Sequence, residues 1–512
     1  MTIIDEYLDY QTQYTKEYGS NTCVLMQIGH FYEAYAVENE KEKTNAENIY
    51  RLSDIMNIQL TRKNKSIQEN HRGNPLMIGV NLLSIDKYIQ ILLNSNYTIV
   101  LIEQVTPPPE PERKVTEIYS PGTNITHLTK GDTNNMVCIY METIKDIKNM
   151  KNILFIGLSA IDLSTGKSIV YETYSKIGDV NYALDETFRF IQMWNPKELV
   201  VYTNKVHLND KQICSYLDLS DRIVHFKDIE PHYLNLNTQK NFFEKIYPKH
   251  GIISVAEYLD LEKKPYGSVA FILLLEFAHK HNEKIITKID KPEIWNERKY
   301  LILTNNAIHQ LNLIAHSSIN NNCKYNSLFA VINNTSTTIG KRFLRETLLN
   351  PIIDPVELNK RYDYVDYIMK NDYTLYESHL NKIMDIERLH RKITLGILQP
   401  AEFVGLDISY DNIMGMYETI NSIACDKIQS ILPSQETMNI FMSFIRDYRN
   451  VFDLNEISKY HLDKITNSFF NKGIYTEIDT IKEQIDNNNM TLVAISKKLS
   501  SIVEEGSNFV RL

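Results

Sequence analysis

The segment Cys23-Val24-Leu25-Met26-Gln27-Ile28-Gly29-His30-Phe31-Tyr32-Glu33 decides how the rest of the chain is read. Cys23–Ile28 is an apolar run of strand length that ends at a glycine. Gly29 permits a sharp turn, and His30-Phe31-Tyr32-Glu33 is expected to lead into a helix. A phenylalanine displayed at such a strand-to-helix corner can wedge between base pairs from the minor groove and kink a duplex. The carboxylate beside it can accept a hydrogen bond from a base edge. A mispaired step is already poorly stacked, so wedging it costs less, and deformability becomes the readout. The plainer alternative makes Phe31 a core residue and Glu33 a first-turn helix charge. On these few residues alone the plainer alternative carries more weight.

Outward from this segment, Leu76–Val80 and Thr98–Ile102 read as further strands, with helical spacing over Leu83–Leu93 between them. Residues 1–125 are therefore expected to form a mixed α/β domain, with Thr106-Pro107-Pro108-Pro109-Glu110-Pro111 as a stiff loop inside it. A second α/β domain is expected at 130–258. Its clearest unit is the hairpin Ile153–Leu163, turn Ser164-Thr165-Gly166, Lys167–Glu172. From about residue 259 the pattern turns helical, beginning with Val269–Ala278. The last helix, from Glu477, carries Ile478, Ile481, Ile485, Leu492, Ile495, Leu499 and Ile502 at three- and four-residue steps, with Asn488 the polar seam position. That is an a/d stripe, suited either to a coiled-coil arm or to a helix packed on a bundle. Phe509-Val510-Arg511-Leu512 reads as the opening of a strand. A strand does not stand alone, so the sequence is expected to stop within a domain.

At 512 residues the chain exceeds one hydrophobic core, and three or four domains are expected. No stretch approaches the ~18 uninterrupted apolar residues that span a bilayer, so no membrane partner is expected. The acidic start, MTIIDEYLDYQTQYTKEYG, lacks the features of a secretory signal or an Arg-rich presequence. The five cysteines are scattered and never in CxxC, which favours reduced, buried thiols in an intracellular, reducing compartment. The net charge of -9 counts against indiscriminate coating of DNA but leaves room for local basic patches. Arg62, Lys63 and Lys65 form one such patch.

Several motifs point to chemistry and are set aside. Gly166-Lys167-Ser168 resembles the end of a phosphate-binding loop, but Ile161 stands where the first glycine belongs and a strand follows instead of a helix. Gly340-Lys341-Arg342 fails in the same way at Thr335. No ATP or magnesium site is therefore expected in these residues. His279 and His281 lie two apart on a helix and point to different faces, so solvated histidines are expected rather than metal ligands. Asp162, Asp185 and Glu186 could seed a carboxylate-metal nuclease, although nothing in their spacing fixes them on one face.

Taken in order, the motifs resemble the MutS family. Gly29-His30-Phe31-Tyr32-Glu33 is similar to its mismatch-reading GxFYE element. Leu60–Lys63 resembles the family's LTKR segment, Pro75–Val80 its P-M-A-G-V, Glu103-Gln104 its CEQ, and Ser120–Thr123 its TPGT. Ala160–Gly166 is similar to the D-x-S-T-G turn of the connector. In the helical part, Leu303-Thr304 with Asn312-Leu313, Thr337–Leu349, Asp385–Arg388 and Tyr475–Lys482 resemble further family segments. His30 and Asn81-Leu82-Leu83 depart from the usual pattern. These departures, with the proline-rich run, resemble the branch of large DNA viruses and octocoral mitochondria.

The resemblance implies a multidomain α/β plus α architecture. A mismatch-binding domain (1–125), a non-catalytic ribonuclease-H-like connector (130–258), a helical lever core (259–460) and the start of a clamp arm (461–512) follow in order. It implies that Phe31 stacks on the mispaired base and Glu33 contacts it, with Gly29 and Tyr32 supporting the turn and Arg62, Lys63 and Lys65 near the backbone. The partners implied are double-stranded DNA with mismatches or small loops and a second MutS-type subunit. The C-terminal ATPase half of relatives is expected outside these residues, with a fragment, a split gene whose ATPase half is separately encoded, and a decayed gene as the open alternatives. ATP and magnesium belong to that half in relatives, and the site of DNA replication is the expected location. Two other classes remain: a relative that binds branched DNA, and a structural relative that binds none.

Overall fold

The computed structural model describes residues 2–107, 111–125, 133–145, 152–176, 178–220, 222–296, 299–301, 303, 305–315, 325–423 and 426–502. Residues 1–358 and 359–512 form two compact units.

The first unit is built on two mixed sheets. One contains β1 (Thr22–Ile28), β2 (Phe31–Glu38), β3 (Lys43–Thr44), β4 (Thr61–Arg62), β5 (Leu76–Asn81), β6 (Thr98–Gln104) and β7 (Arg113–Tyr119). Its order is β4-β5-β2-β1-β6-β7, with β3 paired to β2. The β1–β6 pair is parallel and runs through the middle. Both strands are near-continuous apolar runs because both faces are covered. Helix α1 (Ile3–Tyr18) opens with a capping box between Thr2 and Asp5, which satisfies two otherwise orphaned N–H groups. α2 (Ala46–Met56) and α3 (Ile85–Asn94) complete this layer.

The other sheet contains β8 (Asn135–Lys145), β9 (Asn152–Asp162), β10 (Lys167–Tyr174), β11 (Glu198–Asn204), β12 (Ile223–Lys227) and β13 (Glu293–Ile294), in the order β12-β11-β8-β9-β10-β13. β8, β9 and β10 form an antiparallel meander, and β11 and β12 add in parallel on the β8 side. α4 (Tyr182–Trp194) and α5 (Asp210–Leu217) close an apolar core that includes Ile139, Leu158, Phe190 and Leu199. The hairpin expected around Ser164-Thr165-Gly166 is the β9–β10 turn, held by the Gly166 N–H donating to Asp162 O at 2.8 Å.

The two sheets meet through a buried carboxylate. Glu198, fully buried at the start of β11, accepts from Ser120 Oγ (2.5 Å) and the Gly122 N–H (3.0 Å) on Oε2. Its Oε1 lies 2.7 Å from His225 Nε2. A Cβ on Gly122 would stand 2.7 Å from Glu198 Oε2, so the loop that closes the first sheet needs glycine there. Burial alone would raise the Glu198 pKa. The hydrogen bond and charge of His225, with Ser120, outweigh it and bring the group to about 2.

His281 corrects an expectation. The sequence suggested a solvated histidine, but the ring is buried against Tyr18 and Phe277, and Nδ1 lies 2.8 Å from Phe277 O. The helix Pro265–His281 is covered on most of its circumference, so His281 in its last turn faces the interior while Lys280 beside it stays exposed. Burial lowers the His281 pKa to about 4, against the opposing pull of Glu198.

The second unit is helical. A core of Leu389, Leu406, Tyr410, Ile445 and Tyr448 joins helices Ile386–Leu395, Pro400–Asn421 and Gln435–Val451. Arg449 ties it down by pairing with Asp407 and Asp411, each at 2.7 Å. Asp385 caps the Ile386–Leu395 helix. In the helix Thr476–Ile502, Ile481, Ile485 and Leu492 of the expected stripe are each about half exposed. The strand expected at Phe509–Leu512 lies outside the described residues.

Candidate nucleic-acid interface

The deciding segment folds as a β-hairpin, which corrects the expected strand-to-helix corner. Ile28 pairs with Phe31, Gln27 with Tyr32 and Met26 with Glu33. Gly29 and His30 are the whole loop. Gly29 sits at φ 60°, at the first central position, where glycine enters without strain. The reason lies downstream: Phe31-Tyr32-Glu33-Ala34-Tyr35-Ala36-Val37 is rich in aromatic residues and pairs with β5 along its length, so β propensity and a partner edge override the helical reading. Glu33 is therefore not a first-turn helix charge.

Strand geometry then sorts the side chains. Phe31, Glu33 and Tyr35 share one face by the two-residue period. Exposure falls along that face from Phe31, 47% exposed, through half-buried Glu33 to Tyr35 at 1%. Phe31 is thus not a core residue. The Tyr35 hydroxyl donates to Glu33 Oε2, which fixes the carboxylate beside the ring and leaves Oε1 as a further acceptor. Tyr35 is itself held by edge-on packing against Tyr7 at 5.2 Å. Burial, reinforced by Glu33, pushes the Tyr35 phenol far above its usual range, so it stays a donor. On the opposite face Tyr32 is buried and its hydroxyl donates to Glu103 Oε1 at 2.6 Å, stapling the hairpin to β6.

Gln27 braces the turn. Its Oε1 accepts from the Gln104 N–H (3.0 Å) and its Nε2 donates to Gly29 O (3.3 Å). Arg113 Nε donates to Gln27 O at 3.3 Å, which brings positive charge to the same end of the sheet. Sequence reasoning missed Gln27, Tyr35 and Arg113. The alternation 31, 33, 35 was the available signal for Tyr35. Arg113 lies in a neighbouring strand and had none.

Arg62, Lys63 and Lys65 lie elsewhere. Arg62 pairs with Leu76, five residues along β5 from Asn81, the partner of Phe31. At ~3.4 Å per residue the basic loop begins roughly 17 Å from the ring along the strand. The structure therefore gathers Gly29, Phe31, Tyr32 and Glu33 and leaves the expected basic patch at the other end of the sheet.

The candidate nuclease carboxylates are occupied locally. Asp162 Oδ1 accepts from the Ser164 N–H (2.9 Å), Asp185 from the Tyr216 hydroxyl (2.7 Å), and Glu186 from the Tyr171 hydroxyl (3.1 Å). Among the described residues no group of three or more His, Cys, Asp or Glu could hold a metal ion. Lys167 opens a strand, and Gly340 donates its N–H to Thr337, the cap of helix Thr338–Leu349. Among the described residues no helix is long and apolar enough to cross a membrane.

The family model for MutS domain I matches residues 8–127, and that for MutS domain III matches residues 306–505. A DNA mismatch repair MutS homologue of Acanthamoeba polyphaga mimivirus is 34% identical over 98% of this chain and 47% of its own length. The DNA mismatch repair protein MutS of Borreliella afzelii is 26% identical over 79% of this chain and 42% of its own length. That of Caldanaerobacter subterraneus is 27% identical, over 80% and 43% respectively. The chain spans about half the length, or less, of these curated relatives. Two domain models of one family, in family order, and a similarity to the viral homologue that runs through nearly the whole sequence agree: the chain belongs to the MutS family.

Proposed function

We propose that this chain recognises mismatched or looped duplex DNA by inserting Phe31 at the mispair from the minor groove, while Glu33 accepts a hydrogen bond from the displaced base. One observation carries the reading: a half-exposed aromatic ring at the tip of a two-residue hairpin, with a tethered carboxylate two residues away on the same strand face. An exposed ring held by a short turn is pre-organised, so little conformational entropy is lost when it stacks. Arg113, beside the turn, supplies charge for the phosphates.

The remaining assignments rest on the family. Residues 1–125 serve as the mismatch-binding domain and 130–258 as the connector, whose meander followed by two parallel strands suits the non-catalytic ribonuclease-H-like fold that the family resemblance implies. Residues 259–460 serve as the lever core and 461–512 as the start of a clamp arm. A second MutS-type subunit holds the duplex from the other side, and the ATPase function lies outside these 512 residues. The identity to the mimivirus homologue favours the viral branch and a site of DNA replication. Retention of Phe31 and Glu33 weighs against a branched-DNA or non-DNA-binding relative.

The test is binding of the purified chain to matched duplex, the same duplex with one G·T mispair, and a four-way junction, at several salt concentrations. Preference for the mispair is the expected result. Preference for the junction, or equal binding to matched and mispaired duplex, would overturn the reading.

A further inference from the structure

The departure Asn81-Leu82-Leu83 stands at the same end of the first sheet as the Phe31 hairpin. Asn81 is the strand partner of Phe31, and the Leu82 N–H donates to His30 O at 3.0 Å. The short turn that follows is fixed, because Asn81 Oδ1 accepts from the Leu83 N–H (2.9 Å) and Ser84 Oγ donates to Asn81 O (3.0 Å). This rigid turn displays Leu83 at 85% exposure. On the other flank, past β6, Val105 is also exposed. The strand order places Leu83, Phe31 and Val105 along one rim, with Arg113 at its end. A largely exposed leucine on a braced turn loses contact with water only when a partner covers it.

We infer that Leu83 is a second apolar insert, which enters the minor groove beside Phe31 and unstacks a base-pair step on one flank of the mispair. This rests on the mismatch-wedge reading above. Strand partners stand about 5.5 Å apart or less, and two further residues reach about 7 Å, so the Leu83 and Phe31 Cα atoms lie within roughly 13 Å. At ~3.4 Å per base step that is no more than about four steps. Leucine is among the side chains that wedge between bases in minor-groove complexes. The rim continues directly into the Phe31 hairpin and ends on a cation, which suits the groove of the same duplex better than an unrelated apolar partner.

The experiment compares the wild-type chain, Leu83→Ala and Phe31→Ala on a G·T duplex. The duplex carries 2-aminopurine two, three or four base pairs from the mispair, on either side. Wild type should brighten the probe at one flanking position, and Leu83→Ala should abolish that signal and weaken mismatch binding about tenfold, the loss for one uncovered leucine. If Leu83→Ala matches wild type in both readouts while Phe31→Ala loses mismatch preference, Leu83 is no insert and the wedge reading stands. If Phe31→Ala also changes nothing, the wedge reading itself fails. Sedimentation provides the last check: loss of self-association in Leu83→Ala would assign the rim to a second copy of this chain and overturn the inference. Because the side chain is exposed, the variant should fold, which circular dichroism will verify.

Discussion

The two sheets of the first unit are made of the same material and treat polar groups in opposite ways. Each mixes parallel and antiparallel pairing and has apolar strands and a glycine-containing turn after an apolar run. In the first sheet that turn is two residues long and holds Phe31 and Glu33 outward. In the second, the turn Leu163–Gly166 folds back so that its N–H groups and the Ser164 hydroxyl bond to Asp162. Local sequence pattern is similar, yet one corner displays chemistry and the other consumes it. What separates them is whether the turn satisfies its own polar groups, and that depends on loop length.

This contrast can be broken at its strongest point first. Glu198 joins the sheets, and Glu198→Ala would strip Ser120, the Gly122 N–H and His225 of their common partner. Losing one member of a buried pair costs about 3–5 kcal/mol. Thermal unfolding should show a large drop in Tm, and a variant as stable as wild type would mean that the junction is incidental. The same junction sets an acid limit. The Glu198 pKa is lowered to about 2 and that of His281 to about 4. Both folded values lie below the ordinary ones, so the unfolded chain binds these protons first. Stability from both groups is complete above about pH 6.5, the ordinary histidine value, and declines as pH falls through 4 toward 2. Urea midpoints that stayed flat between pH 7 and 4 would contradict this.

Phe31→Ala should be the mirror image: little change in Tm, because the ring is half exposed, and loss of mismatch preference. Base–aromatic stacking is worth about 1–3 kcal/mol, which fluorescence anisotropy on mispaired and matched duplex resolves. A smaller effect is expected from Glu33→Ala, which should alter discrimination more than total affinity. Removing a carboxylate that phosphates repel can even tighten matched-duplex binding. Equal losses on both duplexes would make Glu33 a structural partner of Tyr35 only. The smallest effect belongs to the second sheet's turn. Lys167→Ala should leave ATP turnover unchanged at background, since Lys167 opens a strand. Turnover that the substitution removed would show that the hairpin binds phosphate after all.

Much of this was legible in the residues. The strands over Cys23–Ile28, Leu76–Val80 and Thr98–Ile102 follow from short apolar runs, and the β9–β10 hairpin follows from two such runs around a glycine turn. The helix after Gly29 was misread because the turn signal is clear but four residues, His30–Glu33, are too few to show a period. The pairing with β5, nearly fifty residues on, decides the matter. His281 was misjudged for a related reason: its surroundings come from Tyr18 in α1, which no local pattern announces. For the candidate site, the identities of Phe31 and Glu33 were readable. Their common face, the Tyr35 tether and the nearness of Arg113 required the sheet. The distance of Arg62 from the ring required it too.

The two-residue loop has a consequence for how this gene can vary. Side chains on a strand alternate, so a slip of one position exchanges the faces of everything that follows. A single codon inserted between Ile28 and Phe31 that shifted β2 against β1 and β5 would turn Phe31 and Glu33 inward and present Tyr32 to the outside. Substitutions along the hairpin can be accepted or rejected one at a time. Changes of length there cannot be graded, and the reading frame of the turn is inherited as a unit with the face that it displays.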